Sequence, residues 1–259
     1  MFFGFYLYFS LFFLGAIIGS FINCYIWRTK NNKSVWRGRS CCLHCGRQLQ
    51  ALENVPIVSW LVLRGQCRIC KKNIPKYYFI IELVTAGLFV LVGILNNIYL
   101  DLSWLHLVRD LFFVSILITV FVYDLFYQTI LPAVIWFGVI VGLIFNNFLF
   151  VFRIEYLFLS VLVGGGFFFL QYIISHGKWI GDGDIFLGVM LGIWLGWPNI
   201  ILGLFLAYII GAIFSVGLLV KDKKYWTTAL PFGVFLSLGA FITLYFGDSI
   251  IRWYSSFLF

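Results

Sequence analysis

Apolar runs recur along almost the whole sequence, and they restrict the possible fold more than any other feature does. An α-helix of about 20 apolar residues crosses a hydrocarbon core of roughly 30 Å, whereas membrane barrels need alternating strands of about ten residues, which this sequence lacks. A hydrophobic share of 63% and a mean hydropathy of +1.01 exceed those of a soluble domain. We therefore predict an all-α polytopic membrane protein with about eight transmembrane helices.

The predicted spans are Phe2–Ile26, Tyr77–Leu95, Leu105–Tyr123, Thr129–Phe150, Tyr156–Ser175, Asp184–Trp197, Ile200–Val220 and Leu230–Ile250. They predict a first transmembrane helix over 1–27, a cytoplasmic insertion over 28–76 and a membrane-embedded domain with seven further helices over 77–259. No basic residue precedes the first span and Arg28 follows it closely. We therefore expect an uncleaved anchor with its amino terminus outside rather than a signal peptide.

The distribution of positive charge predicts the orientation of the chain. Fifteen of the 18 Lys and Arg residues fall in loops that this topology places in the cytoplasm: eleven within Arg28–Lys76, then Lys178, Lys221, Lys223 and Lys224. This bias follows the positive-inside rule. We attribute the net charge of +8 to topology and to the anionic lipid bilayer rather than to nucleic acid, because the basic region carries no obvious recognition motif.

The insertion contains two CxxC pairs, formed by Cys42, Cys45, Cys67 and Cys70. Such pairs are typical of zinc ribbons, in which thiolates on tight turns converge on a tetrahedral Zn²⁺ that stabilises a lobe with little core. Gly46 and Gly65 favour such turns. Disulfides or redox dithiols are the alternative, although a cytoplasmic lobe is in a reducing environment. Cys41 and His44 are the substitute ligands to consider.

Acidic residues inside membrane helices are costly, on the order of 2.5–3.5 kcal/mol for Asp at a helix centre, so each one needs a reason. Near the outer ends of spans, where we expect them to be solvated, lie Asp101, Asp110, Glu155 and Asp248. Glu82 lies near the inner end of the second span and either reaches the interface or supports a site. Asp124 ends the third span and Asp184 begins the sixth. The topology places these two at the same face and depth, where they can meet.

Asp184 belongs to the stretch Gly181-Asp182-Gly183-Asp184 and is followed by only a short apolar run that ends at Trp197. Small residues recur at every fourth position after it, at Gly188, Gly192 and Gly196. This spacing is typical of closely packed helices, so Asp184 is predicted to face a neighbouring helix. We assign helix capping to Asp182. Gly181 and Gly183 lack a Cβ and would let an extended substrate backbone approach.

A pair of carboxylates a few ångströms apart shares a proton, because both do not readily ionise together. One then takes a proton from water while the other, protonated, polarises a carbonyl oxygen, which is peptide hydrolysis by an aspartyl dyad. No HExxH zinc motif is present, and no nucleophilic Ser or Cys with His and acid partners stands out. We predict Asp124 and Asp184 as the catalytic pair, with Gly181, Asp182, Gly183 and Glu82 in support.

The stretch Gly181-Asp182-Gly183-Asp184 matches the GxGD signature of membrane aspartyl peptidases, and the whole chain resembles type IV prepilin peptidases, which are leader peptidases and N-methyltransferases of the bacterial inner membrane. The other motifs that carry this resemblance are Gly19-Ser20-Phe21-Ile22-Asn23, the two CxxC pairs, Asn54-Val55-Pro56-Ile57-Val58-Ser59-Trp60, Arg64-Gly65-Gln66-Cys67, Tyr78-Phe79-Ile80-Ile81-Glu82-Leu83, Asp124-Leu125, Leu191-Gly192-Ile193-Trp194-Leu195-Gly196-Trp197 and Pro231-Phe232-Gly233.

The resemblance implies that Asp124 and Asp184 cleave prepilin or pseudopilin substrates at the cytoplasmic face without a metal. It also implies methylation of the new amino terminus with S-adenosylmethionine, by the cytoplasmic lobe and its surroundings. Substrates of the family carry short basic leaders, for which Glu53, Glu82, Asp182 and the unprotonated member of the aspartate pair are candidate binding groups.

Two other functions stay open at this point. A peptidase without methyltransferase activity differs only in chemistry that the motifs do not specify. A non-enzymatic carrier would use intramembrane acids as ion ligands. A carrier would be expected to contain paired or inverted repeats around a site near the membrane midplane. We find no convincing internal repeat in this sequence.

Overall fold

The computed structural model describes residues 2–35, 37–100, 102–149, 153–221 and 230–257. Within these ranges the chain forms α1 (Phe2–Lys30), a 3₁₀-helix (Ala51–Asn54), α2 (Val58–Val62), α3 (Lys76–Tyr99), α4 (Trp104–Tyr127), α5 (Pro132–Leu149), α6 (Ile154–Ser175), α7 (Asp182–Leu195), α8 (Asn199–Lys221) and α9 (Phe232–Ser255). These residues form no β-strand, and two isolated antiparallel bridges join Cys41 to Gln48 and Gln66 to Asn73. The predicted all-α class is confirmed.

In the described part of the chain, seven helices are long and apolar enough to cross a membrane: α1, α3, α4, α5, α6, α8 and α9. Every one of the eight predicted spans coincides with a helix. However, α7 has only 14 residues and at 1.5 Å per residue covers about 21 Å of a roughly 30 Å core. Asp101, Lys223 and Lys224 lie outside the described residues.

Proline and glycine set several helix boundaries. Pro75 and Pro231 immediately precede α3 and α9, and Pro132 is the first residue of α5. Amide groups at the start of a helix have no hydrogen-bond partner within the helix, so proline, which lacks an amide hydrogen, fits at these positions. At the other end of α7, Gly196 adopts a φ of 68° and terminates the helix. The prediction that α7 continues to Trp197, with Gly196 on its packing face, is therefore wrong.

The chain divides into two compact units, Met1–Leu107 and Val108–Phe259. In the first unit, α1 packs along α3. A Cβ atom added at Gly15 would lie 2.8 Å from the Cα of Ala86, and one added at Gly19 would lie 2.8 Å from the Cα of Glu82. The two helix backbones approach this closely because the two glycines have no side chain.

In the second unit, α7 packs against α5, α6, α8 and α9. Its glycines face α6: Gly188 lies against the backbone of Gly164, and a Cβ added at Gly192 would lie 2.5 Å from the carbonyl oxygen of Ser160. Ser160 Oγ donates a hydrogen bond to the Gly192 carbonyl at 2.9 Å. The prediction that Gly188 and Gly192 line a helix–helix contact is confirmed.

We expect Gly192→Val to destabilise the protein by about 1–3 kcal/mol, because the new side chain would overlap the backbone of α6 and force the helices apart. Thermal unfolding in detergent measures this loss. The matched control is Gly166→Val in α6, since a Cβ at that position has open space around it. Equal unfolding temperatures for the two variants would contradict the close packing of α7 against α6.

Asp110 is buried, so the prediction that it is solvated is wrong. Its exposed fraction is 0%. One carboxylate oxygen lies 2.7 Å from Nη2 of Arg109, and the Tyr245 hydroxyl donates to the other at 3.1 Å. These partners offset the cost of removing the charge from water. The expectation of solvation is confirmed for Glu155, whose contact with Arg153 at 3.6 Å is exposed.

Candidate active site and four-cysteine centre

Asp124 lies in the last turn of α4 and is 4% exposed. Its carboxylate faces the amino-terminal end of α9, where the backbone amides of Gly233 and Val234 are directed toward it. A Cβ atom added at Gly233 would lie 2.8 Å from Oδ2 of Asp124. The partial positive charge of a helix amino terminus favours a carboxylate here. Oδ2 is itself buried and has no hydrogen-bond partner within the described ranges.

Asp184 lies in the first turn of α7 and is partly buried. Its Oδ2 accepts a hydrogen bond from the backbone amide of Gly181 at 3.2 Å, and Gly181 is the residue that precedes the helix. This bond is the carboxylate half of a capping box. Asp182 is exposed and accepts a hydrogen bond only from the adjacent amide of Gly183, at 2.9 Å. The assignment of capping to Asp182 is therefore wrong, because Asp184 makes the capping bond.

The structure brings Asp124 and Asp184 together. Their carboxylates are close enough for electrostatic repulsion, and the segment between α4 and α5 reaches the same region. A Cβ atom added at Gly183 would lie 3.0 Å from the Cβ of Ile130. Gly183 is thus packed against this segment, whereas Gly181 is exposed. Two like charges in a partly desolvated site disfavour double ionisation, as a proton-sharing dyad requires.

Glu82 and Glu53 belong to the first unit. Glu82 is 8% exposed and accepts a hydrogen bond from the amide of Ile57 at 2.8 Å, so it connects α3 to the lobe. Glu53 is buried and forms an ion pair with Arg47 at 2.7 Å. The hydrogen bond from the Arg47 guanidinium, followed by that from the Gln50 amide, lowers the pKa of Glu53. Glu53 is therefore engaged inside the lobe.

The four predicted cysteines form one cluster, in which the Sγ atoms of Cys42, Cys45, Cys67 and Cys70 all lie within 4.8 Å of one another. The Sγ atoms of Cys42 and Cys70 are 3.8 Å apart. A tetrahedral Zn²⁺ with Zn–S bonds of about 2.3 Å needs an S–S separation of about 3.8 Å, whereas a disulfide needs about 2.05 Å. All six cysteines are free. His44 lies apart from the cluster, with Nε2 3.3 Å from the Asn73 carbonyl.

Each cysteine pair sits on a similar turn. The amide of Cys42 donates to the backbone carbonyl of Arg47 at 2.8 Å, and the amide of Cys67 donates to the backbone carbonyl of Lys72 at 2.9 Å. The fourth residue after the first cysteine has a positive φ in both turns, 70° at Gly46 and 55° at Lys71. Gly65, just before the second pair, has a φ of 68°, so the turn predictions for Gly46 and Gly65 are both confirmed. In the second pair Lys71 takes the position equivalent to Gly46.

Backbone amides favour the thiolate form of Cys67. Hydrogen bonds from the amides of Cys70 and Ile69 lower the pKa of Cys67 to about 6, and the guanidinium of Arg47 also lies beside its sulfur. A thiolate is the form that binds a metal ion. The geometry and the chemistry of the cluster therefore both fit Zn²⁺.

Comparison with known proteins places both units in one family. Residues 13–95 match the Bacterial Peptidase A24 N-terminal domain, and residues 111–216 match the Type IV leader peptidase family. No solved structure matches the chain significantly.

Similar proteins match along almost their whole length. The prepilin leader peptidase/N-methyltransferase of Aeromonas salmonicida (strain A449) is 32% identical over 281 residues, which cover 96% of this chain and 94% of the relative. That of Bacillus subtilis (strain 168) is 33% identical over 251 residues, with coverage of 94% and 96%. That of Pseudomonas aeruginosa is 31% identical over 280 residues, with coverage of 94% and 92%. The chain therefore belongs to the type IV leader peptidase family, as its sequence motifs predict.

Proposed function

We propose that the protein is a membrane aspartyl endopeptidase that removes short basic leaders from prepilin or pseudopilin proteins and methylates the new amino terminus. The family membership and the names of the relatives support both activities. The observation that carries the peptidase activity is that the carboxyl groups of Asp124 and Asp184, supplied by α4 and α7, lie close enough for their charges to interact.

Peptide hydrolysis by this pair needs one ionised and one protonated carboxyl group. The ionised group accepts a proton from water, and the resulting hydroxide attacks the scissile carbonyl carbon while the protonated group donates to its oxygen. As the C–N bond breaks, the departing amine takes up the proton that the first carboxylate accepted from water, and the other carboxylate regains its proton from the collapsing intermediate. The buried Oδ2 of Asp124, which lacks a partner among the described residues, is well placed to bind the water or the carbonyl.

Asp184 has a second role in this proposal. Its hydrogen bond from the Gly181 amide holds the carboxylate at the start of α7 in a defined position. The space beside Gly181 is open. The nearest atom to a Cβ added at this position would be Oδ2 of Asp184, at 3.7 Å. An extended substrate backbone can therefore come alongside the pair. Asp182, which is exposed beside it, is a candidate partner for a basic leader.

The protein is a multi-pass membrane protein, and we propose the bacterial inner membrane with the amino terminus outside. The positive-inside rule then puts the lobe over 28–76 and the aspartate pair at the cytoplasmic side. Within the lobe, Zn²⁺ bound by the four cysteines would act as a structural cross-link between the two turns. S-adenosylmethionine, when bound, would supply an electrophilic methyl group for the amino terminus that cleavage creates.

Mass spectrometry of the processed substrate tests the two activities together. We expect purified full-length protein in lipid nanodiscs to cut a prepilin-type substrate at its leader junction, and the new amino terminus to gain one methyl group only when S-adenosylmethionine is added. Cleavage without the gain of a methyl group would show that the protein is a peptidase only and would refute the methyltransferase activity. The absence of cleavage by a folded protein would refute the proposed function.

A further inference from the structure

Two polar side chains, Gln171 of α6 and Tyr208 of α8, form a hydrogen-bonded pair on the surface of the second unit. The Tyr208 hydroxyl donates to Oε1 of Gln171 at 2.8 Å. Tyr208 is 36% exposed and Gln171 is partly buried. Both helices are long and apolar enough to cross a membrane, so an exposed side chain on them faces lipid unless a ligand covers it. Polar groups at such positions are costly and are often functional.

The register of the helices places this pair beside Asp184. α6 and α7 run antiparallel, and Gly188 packs on the backbone of Gly164. The same register puts Gln171 level with Gly181, the residue whose amide binds the Asp184 carboxylate. The tyrosine of the pair also lies within electrostatic range of Asp184. The pair is therefore next to the amino-terminal end of α7, where the aspartate site lies.

Aromatic rings connect the pair to Asp124. The centroid of the Tyr208 ring lies 4.9 Å from that of Phe232 and 5.7 Å from that of Phe167. Phe232 immediately precedes Gly233, which lies against the Asp124 carboxylate. Phe167 is exposed and Phe232 is partly buried. The three rings therefore form an apolar surface that reaches the aspartate site and carries the polar pair.

The pair offers a hydrogen-bond donor and an acceptor to a ligand. Within the described part of the chain, Nε2 of Gln171 donates to no other group and the Tyr208 oxygen accepts from none. An extended peptide has the complementary groups, because the N–H and C=O of one residue point to the same side of the chain. At membrane depth an unpaired backbone group costs several kcal/mol. A peptide that is cut beside the aspartates therefore needs such partners.

We propose that Gln171 and Tyr208 bind the backbone of the peptide substrate beside the scissile bond. The Gln171 amide donates to the carbonyl of one substrate residue, and the Tyr208 oxygen accepts from the N–H of the same residue. The aromatic surface packs against an apolar side chain of the bound peptide. The proposal rests on the peptidase part of the proposed function and assigns two substrate-positioning residues to it. Neither residue exchanges a proton with the reacting groups, so both act on binding.

Cleavage kinetics in mixed micelles, with a prepilin-type substrate that spans the leader junction, test this proposal. We expect Tyr208→Phe and Gln171→Met each to raise KM about threefold to tenfold and to leave kcat unchanged. Each variant loses one hydrogen bond that the bound substrate and the transition state share, while the size of the side chain is nearly retained. The matched control is Tyr156→Phe, which removes an exposed hydroxyl near the opposite end of α6 and is expected to leave KM unchanged.

Substrates with a single N-methyl group on the backbone near the scissile bond identify the contact. We expect one such substrate to have a raised KM with wild-type enzyme, because its N–H no longer reaches the Tyr208 oxygen. The increase should be smaller with Tyr208→Phe, in which the acceptor is already absent. If the pair only tied α6 to α8, its loss would lower the unfolding temperature without this coupling.

The outcomes separate this proposal from the proposed function. Unchanged KM in both variants, or a fall in kcat without a rise in KM, would overturn the role of the pair. Equal effects of N-methylation on wild type and Tyr208→Phe at every position would also overturn it. If wild-type enzyme cleaves its substrate in these cases, the peptidase function stands. A folded wild type that cleaves no prepilin-type substrate would refute both. Should one variant not fold, the KM of the other decides.

Discussion

Asp124→Asn is expected to reduce the cleavage rate by about 10²–10⁴-fold, the range that proton transfer by a positioned side chain contributes. Asparagine has nearly the same shape as aspartate but neither accepts the proton from water nor donates one to the carbonyl oxygen. Asp184→Asn is expected to have the same effect, and its amide oxygen still accepts the hydrogen bond from Gly181. The double variant is expected to be no slower than either single variant, because the two groups act as one unit.

Cleavage of a co-purified prepilin-type substrate, followed by gel mobility and mass spectrometry, measures these losses. Glu155→Gln is the control, since Glu155 lies in an exposed contact with Arg153 and its removal changes charge without touching the pair. Unfolding temperatures show whether each variant is folded. If both single variants are folded and still cleave at the wild-type rate, the dyad mechanism is excluded.

Loss of the four-cysteine cluster is expected to unfold the lobe. The Cys42→Ser, Cys45→Ser double variant retains only the two thiolates of the second turn, so the two turns are no longer cross-linked by zinc. Structural zinc in small domains supplies about 10–16 kcal/mol of apparent binding free energy, which the variant would lose. We expect one bound zinc ion per wild-type chain and none in the variant by elemental mass spectrometry. Limited proteolysis within 28–76 is expected to accelerate.

Cys41→Ser is the matched control for the zinc experiment. Cys41 is adjacent to Cys42 and lies outside the group of converging sulfur atoms, so its replacement is expected to leave the zinc content and the protease resistance unchanged. A folded wild-type lobe with far less than one metal ion per chain would contradict the zinc assignment. If oxidants rather than zinc protect the lobe from proteolysis, the result would instead favour a disulfide.

The apolar runs and the cysteine spacing were sufficient to predict the eight apolar helices and the four-cysteine cluster, but not the two short helices within the lobe. Both signals are local. A run of about 20 apolar residues requires a helix in lipid. Two CxxC pairs on turns bring four thiols together, and binding one Zn²⁺ is a common use of such a group. The depth of Asp124 and Asp184 followed from topology alone. That their charges interact depends on lateral packing of the helices, which the glycine pattern from Gly188 to Gly192 indicated only in part.

Contacts between distant parts of the chain were not predictable in the same way. Asp110 resembles a solvated residue near a helix end, but Tyr245 of α9 covers it, and no sequence pattern links these two positions. The contact between Asp124 and Gly233 is of the same kind. The sequence motif Pro231-Phe232-Gly233 signalled that this stretch matters, without indicating that its glycine makes room for a carboxylate.

The role of Asp184 at the start of α7 was also misjudged, and for a local reason. Aspartate is a common capping residue, so either Asp182 or Asp184 is suited to cap α7. Which of them does so depends on the residue at which the helix begins. Since Gly181 precedes the first turn, the carboxylate three residues later reaches back to its amide. A helix boundary that differs by two residues exchanges the roles of the two acids.

The short length of α7 has a consequence for the supply of water. Hydrolysis consumes one water molecule per bond cut, and water is scarce in a hydrocarbon core. A helix of 14 residues, fixed at one end by Gly181 and at the other by Gly196, falls about 9 Å short of a full crossing. Asp184 lies in its first turn and is not fully buried, so in the proposed mechanism interfacial water would reach this carboxylate without a channel through the lipid. The rate of cleavage should therefore depend on bilayer thickness.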